Sequence, residues 1–142
     1  MNSEFTIAVH SLVYLFYLPD HMASSESIAK NVSTNPARIR KIMSSLRKKG
    51  FVRTKEGIGG GYFLQAHPDE ITLAQIYRSV SCGTIKPSWS TGDPAEACPV
   101  SSNIQIVMDT VFDEAEIHLE KYLSNVTISS LLQKVKESPS KV

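Results

Sequence analysis

The stretch "RTKEGIGGGYFL", Arg53–Leu64, places four glycines within five residues, between a basic run and an aromatic one. Each glycine costs conformational entropy on folding, so such a cluster implies backbone that needs positive φ or close approach. The flanks "FVRTK" and "GYFLQ" alternate in the manner of strands. A phosphate-binding loop needs a helix after its glycines, so that the helix N-terminus faces the anion. Here a second strand follows, and no Walker lysine does. A dinucleotide fingerprint fails for the same reason. The stretch reads as a β-hairpin with a glycine tip.

Upstream, "NPARIRKIMSSLRKKG" carries concordant helix signals: Asn35 as N-cap, Pro36 at the first helical position, basic residues in the last turn and Gly50 at the end. Before it lie "SSESIAK", a short helix capped at Ser24 or Ser25, and the turn "NVST". A first helix with Phe5, Ala8, Val9, Leu12, Val13 and Phe16 at helical spacing precedes these and stops at Pro19. Downstream, "ITLAQIYRSV" has Thr72 and Gln75 spaced as a capping box. A Pro-, Gly-, Ser- and Thr-rich loop follows to Cys98. Pro99 then opens a long helix to about Ser124, and "TISSLLQKV" makes a last short helix. The order helix, short helix, turn, helix, glycine hairpin is that of a winged helix-turn-helix. The expected fold is mainly α with a small β-hairpin wing, plus a long C-terminal dimerisation helix. The boundaries are 1–82 for the DNA-binding domain, 83–98 for a flexible loop and candidate sensor, 99–135 for the dimerisation helices and 136–142 for a disordered tail.

Charge is distributed unevenly although the net charge is only +1. Nine Lys or Arg and no acid lie between Lys30 and Lys55, whereas seven acids and no base lie between Pro87 and Glu120. The basic third points to a polyanion partner. On the Asn35–Gly50 helix, Ile39, Ile42, Met43 and Leu46 share one face. Ala37, Arg40, Lys41, Ser44 and Lys48 share the opposite one, with Arg38 alongside. Such a helix suits the major groove of double-stranded DNA, where Arg reads guanine and cations meet phosphates. Asn35, Ala37, Arg38, Arg40, Lys41, Ser44 and Lys48 are the expected contacts from this helix, and Lys55, Gly59, Gly60 and Tyr62 those from the wing.

On the long helix, Val100, Ile104, Val107, Val111 and Leu119 form a stripe too apolar for a lone exposed helix. It should be buried against another helix, which makes this stripe the expected homodimer seam. The longest apolar run, Leu12–Leu18, is too short to cross a bilayer. With no basic leader region and only two cysteines, Cys82 and Cys98, a cytoplasmic location and no membrane partner are expected.

At these residues the sequence resembles the Rrf-two family of bacterial winged-helix transcriptional regulators, over nearly the whole chain. The resemblance rests on "SLRKKGFV", the wing "GIGGGY", "ITLAQIYRSV" directly after it, a cysteine-bearing loop, a long helix and the closing "TISSLL". It implies homodimers on palindromic operators, joined through the long helix, and a repressor acting by promoter occupancy. It also implies, in some members, an iron–sulfur cluster held by three closely spaced loop cysteines; others sense through thiols. This chain has two cysteines with fifteen residues between them, and a [2Fe–2S] centre takes four ligands. A clusterless member without cofactor or metal is expected. Where the family often carries Arg before the first wing glycine, this chain has Glu56, with Lys55 adjacent.

Cys98 immediately precedes a helix, where the macrodipole favours thiolate, so it is the first candidate redox sensor and Cys82 the second. Two ordinary thiols, or a small-molecule effector near Tyr77 and Trp89, are the alternatives. Two readings of another class stand beside a regulator. A thiol enzyme using Cys98 lacks a local base and a substrate motif, and a protein–protein adaptor would bind insensitively to salt and to DNA competitor.

Overall fold

The computed structural model describes residues 3–80 and 85–139. The chain runs α1 (Ser3–Tyr17), β1 (Met22–Ala23), α2 (Ser25–Val32), α3 (Pro36–Lys48), β2 (Val52–Lys55), β3 (Gly61–Leu64), α4 (Leu73–Val80), α5 (Pro99–Leu123) and α6 (Ile128–Glu137). It is mainly helical with one small antiparallel sheet, the expected winged helix-turn-helix.

The caps read from sequence form as hydrogen bonds. Ser24 accepts from Ser27 N, and Asn35 Oδ1 accepts from Arg38 N at 2.8 Å, with Pro36 at the first helical position. Thr72 N donates to Gln75 Oε1 at 2.9 Å, while Gln75 N donates back to Thr72 Oγ1 at 3.2 Å. Between α2 and α3, Ser33 takes φ +70° and turns the chain. That turn lets Ile28 and Ala29 of α2 meet the buried face of α3, Ile39, Ile42, Met43 and Leu46.

The sheet holds one strand more than the sequence pattern indicates. Its order is β1-β3-β2, with Met22 opposite Phe63, Ala23 opposite Tyr62, and Thr54 opposite Tyr62 on the other side. A two-residue strand is too short to show alternation. By pairing with β3 it ties the wing to the segment between α1 and α2, so the wing is braced against the helix-turn-helix.

The C-terminal part returns to the first helix instead of extending away. Leu73 N donates to Val126 O at 2.8 Å and Ile128 N to Ile71 O at 3.1 Å, stitching the α5–α6 turn to the segment before α4. Leu123, Ile128 and Leu132 are buried, and the first two join the core of Ala8, Leu12, Leu15, Ile76 and Tyr77. The long loop is irregular, yet residues 91–98 are tied to α5. Thr91 N donates to Gln105 Oε1 at 2.7 Å, and Asp93 N donates to Ser101 O at 3.0 Å.

The wing glycines serve the turn itself. Gly60 N donates to Gly57 O at 3.0 Å, and a Cβ on Gly60 would collide with the Lys55 carbonyl. The need at Gly60 is therefore internal close approach and not positive φ. Gly60→Val should force the hairpin open and cost about 1–3 kcal/mol, the usual cost of overpacking. Denaturant unfolding measures this, and an unchanged midpoint would show that the turn relaxes freely.

Candidate nucleic-acid interface

The surface begins with α3. Ala37, Arg40, Lys41 and Lys48 are exposed, whereas Arg38 and Ser44 are half-buried. The Asn35 carboxamide oxygen is occupied as the helix cap. No acid lies on α3, but neighbouring elements supply partners for its cations. Arg38 donates to Ser3 Oγ at 2.6 Å, and Lys41 Nζ lies 3.6 Å from Glu4 Oε1. Arg40 Nη1 reaches Ser25 Oγ at 3.4 Å and Glu26 Oε1 at 3.8 Å. These pairings join residues far apart in the chain, so the charge count along the helix could not reveal them.

Beside α3 the wing and the start of α2 enclose a polar concavity of about 440 Å³. Its walls include Ser25 and Glu26 from α2, and Lys55, Gly59, Gly60 and Tyr62 from the wing. Tyr62 is half-buried and packs against the core. Arg40 of α3 reaches the wall of this concavity through Ser25 and Glu26, whereas no α3 residue lines the concavity itself; Glu26 is an acidic member that sequence reasoning did not include.

Behind this surface α4 grips α5. Tyr77 is fully buried, its ring set edge-on to Phe5 at 5.5 Å, and its hydroxyl donates to Glu116 Oε1 at 3.0 Å and Oε2 at 3.2 Å. Burial, then the Glu116 carboxylate and more weakly Glu120, push the phenol up to about 12. Arg78 Nε pairs with Glu120 at 3.4 Å and Lys86 with Asp113 at 2.6 Å. Tyr77 is therefore a core residue, and Trp89 is 75% exposed, so the two do not form the ligand pocket that the sequence offered as an alternative. A different cavity exists, an apolar groove of about 600 Å³ between α1 and α6 lined by Val9, Val13, Tyr14, Leu131 and Val135.

Much of the rest of α5 is exposed. Leu123 is its one buried residue, while Val100, Val107 and Val111 are 68%, 55% and 51% exposed. Ile104 is half-buried against the loop at Gly92, and Leu119 packs on the chain's own core. Ile106, Ile117 and Tyr122 are also exposed. Ile106 and Ile117 lie off the line of the expected stripe, so the outward apolar surface is broader than its period indicates.

Cys98 is exposed at the N-cap of α5. The Ser101 and Val100 N–H groups at the helix start hold its thiol below the ordinary cysteine range. Cys82 lies outside the described residues, and among those no three His, Cys, Asp or Glu side chains converge as a metal site.

A winged helix-turn-helix with a basic outer helix, continued by a long helix, is now a defined arrangement. The family model Rrf2, described as "Iron-dependent Transcriptional regulator", matches residues 1–134. The chain belongs to the Rrf2 family. Among its relatives is YwnA of Bacillus subtilis (strain 168), named as an inferred HTH-type transcriptional regulator. It is 29% identical over 133 residues, covering 93% of this chain and 96% of YwnA. A crystal structure from Lactobacillus plantarum is 28% identical with a TM-score of 0.81, covering 96% of this chain and 91% of that one. CymR (YrzC), the global cysteine regulator of B. subtilis, shares the fold at 20% identity and a TM-score of 0.61, covering 94% and 96%. The Rrf2 proteins are transcriptional regulators, so this chain is a DNA-binding regulator and not the thiol enzyme weighed from its sequence. No helix among the described residues is long and apolar enough to cross a membrane.

The Tyr77 clamp makes a checkable demand. Tyr77→Phe should cost about 1–2 kcal/mol, the value of a hydrogen bond to a charged but partly wet partner. Because the folded phenol ionises at about 12, above its unfolded value near 10, its contribution is complete below pH 10 and is lost as pH rises toward 12. Chemical denaturation of both proteins between pH 9 and pH 12 tests this. Identical slopes of stability against pH would exclude it.

Proposed function

We propose that this protein is a repressor that binds a palindromic operator as a homodimer, reading each half-site with α3 and bracing it with the wing. The observation that carries the reading is the junction of two surfaces. Of the outward cations Arg40, Lys41 and Lys48, Arg40 touches Ser25 and Glu26, which line one concavity together with the wing residues Lys55, Gly59, Gly60 and Tyr62. Asn35 and Arg38 serve as the cap and flank of that helix, and Ala37 and Ser44 permit close approach. The bare apolar side of α5 supports a second copy covering Val100, Val107 and Val111, with Ile104 and Leu119 at its margin.

Arg40→Ala combined with Lys41→Ala should weaken binding to a duplex selected by the parent protein from a random library. One base-reading contact is worth about 1–3 kcal/mol, and loss of phosphate contacts also flattens the salt dependence. Fluorescence anisotropy across several salt concentrations measures both quantities. Unchanged affinity and slope would remove this face from the interface.

The reading includes thiol sensing and excludes an iron–sulfur cluster. The chain's two cysteines have fifteen residues between them, not the close spacing of three that the cluster-bearing pattern has, and a [2Fe–2S] centre takes four ligands. What supports Cys98 as the sensor is its exposure at the start of α5 together with its stabilised thiolate. Oxidant should alter duplex binding by the parent, and Cys98→Ser should abolish that response while leaving reduced-state binding intact. Cys82→Ser should matter less unless the two thiols pair. If both single variants respond as the parent does, neither thiol is the sensor. The α1–α6 groove then favours the second reading, a regulator responsive to a small apolar effector.

A further inference from the structure

We infer that Glu26, at the N-terminus of α2, determines base specificity by holding one edge of the Arg40 guanidinium so that the other edge presents to DNA. The inference rests on the reading of α3 as the groove helix. Both protein contacts of Arg40 use the same nitrogen: Nη1 donates to Ser25 Oγ at 3.4 Å and lies 3.8 Å from Glu26 Oε1. Ser25 Oγ in turn donates to Glu26 Oε2 at 3.2 Å, so hydroxyl and carboxylate form one receiver. Ser25 is buried, which fixes the hydroxyl in place, while the Arg40 and Glu26 side chains are 54% and 70% exposed. Among the described residues the Nε–Nη2 edge has no polar contact. A guanidinium carries its five N–H donors in a rigid planar fork, so anchoring one side orients the opposite pair. A guanine offers two acceptors to such a pair.

A second observation concerns where the carboxylate sits. Glu26 forms part of the concavity shared with Lys55, Thr54 and the wing glycines, the surface that a duplex would face. An acid there repels phosphate unless Arg40 answers it. Non-specific binding rests on phosphate attraction, so Glu26 lowers it, whereas a duplex with guanine beneath Arg40 recovers the loss. The pair therefore favours one sequence and penalises the others. Its value does not lie in stability, because an exposed ion pair contributes little to folding.

The test uses the full-length protein and duplexes selected by it from a random library, each compared with a scrambled duplex and with single-base-pair variants. For Glu26→Gln the expected result is about threefold tighter binding to the scrambled duplex. At one base pair, discrimination should fall by about fivefold or more. Glu26→Asp should restore part of that discrimination. Arg40→Ala should abolish the preference at the same base pair, and adding Glu26→Gln to it should change nothing further there. Thermal unfolding of Glu26→Gln should match the parent, which separates specificity from folding. If Glu26→Gln leaves scrambled-duplex affinity and every base preference within about twofold of the parent, while Arg40→Ala loses a preference, the role of Glu26 is overturned and the groove helix stands. If Arg40→Ala keeps every base preference, both fail together.

Discussion

Helix α5 cannot bury its apolar side within its own chain, and the rest of the architecture is arranged around that fact. A helix of 25 residues with one fully buried side chain, Leu123, and half-buried ones such as Phe112 and Leu119 is held only in part by hydrophobic packing. Polar links to α4 and the adjoining loop add to this: Tyr77 to Glu116, Arg78 to Glu120 and Lys86 to Asp113. Of the three, the Tyr77 link is the one made at the edge of the core, where a low dielectric strengthens it. The surface pairs set direction more than they add stability. The acids on α5, which looked in the sequence like a separate anionic segment, are thus largely the counterparts of cations and a phenol on α4 and the loop.

From this grip a chain of contacts continues into the first helix. Helix α1 contributes Phe5 to the Tyr77 ring and packs against α2, α3, α4 and α6. Its first turn also supplies Ser3 and Glu4 to cations of α3. A path of contacts thus runs from Glu116 through Tyr77 and Phe5 to the helix turn that touches α3. The loop segment 91–98, tied to the first turns of α5, places Cys98 at the far end of the same helix. That thiol lies at the start of the element that the proposed dimer would share.

Local signals made most of the fold legible. Asn35 with Pro36, Thr72 with Gln75, and the apolar period of α3 each involve residues within a turn or two, and each appears as expected. What the sequence did not show depends on distant partners. Strand β1 has only two residues and exists because β3 offers it an edge. The stitching of Leu73 and Ile128 across the α4 and α6 starts leaves no periodic trace. Within the candidate interface, the outward and inward faces of α3 were legible, but Glu26 was hidden because it belongs to another helix. The glycine run announced a tight turn correctly, yet the obstacle at Gly60 is a carbonyl five residues earlier. Tyr77 and Trp89 look alike as aromatic residues near a loop; one ended in the core and the other in solvent, a difference set by helical phase and by Glu116.

The central claim is that the exposed apolar side of α5 is covered by a second copy, pairing two outward α3 helices. Sedimentation equilibrium at micromolar concentration, in moderate salt and with reductant, tests it most directly. The account predicts a single species of twice the 15.7 kDa chain mass, reduced to unfolded or monomeric protein without duplex binding by Val107→Asp. A folded parent protein that sediments at 15.7 kDa and still binds its selected duplex would contradict it.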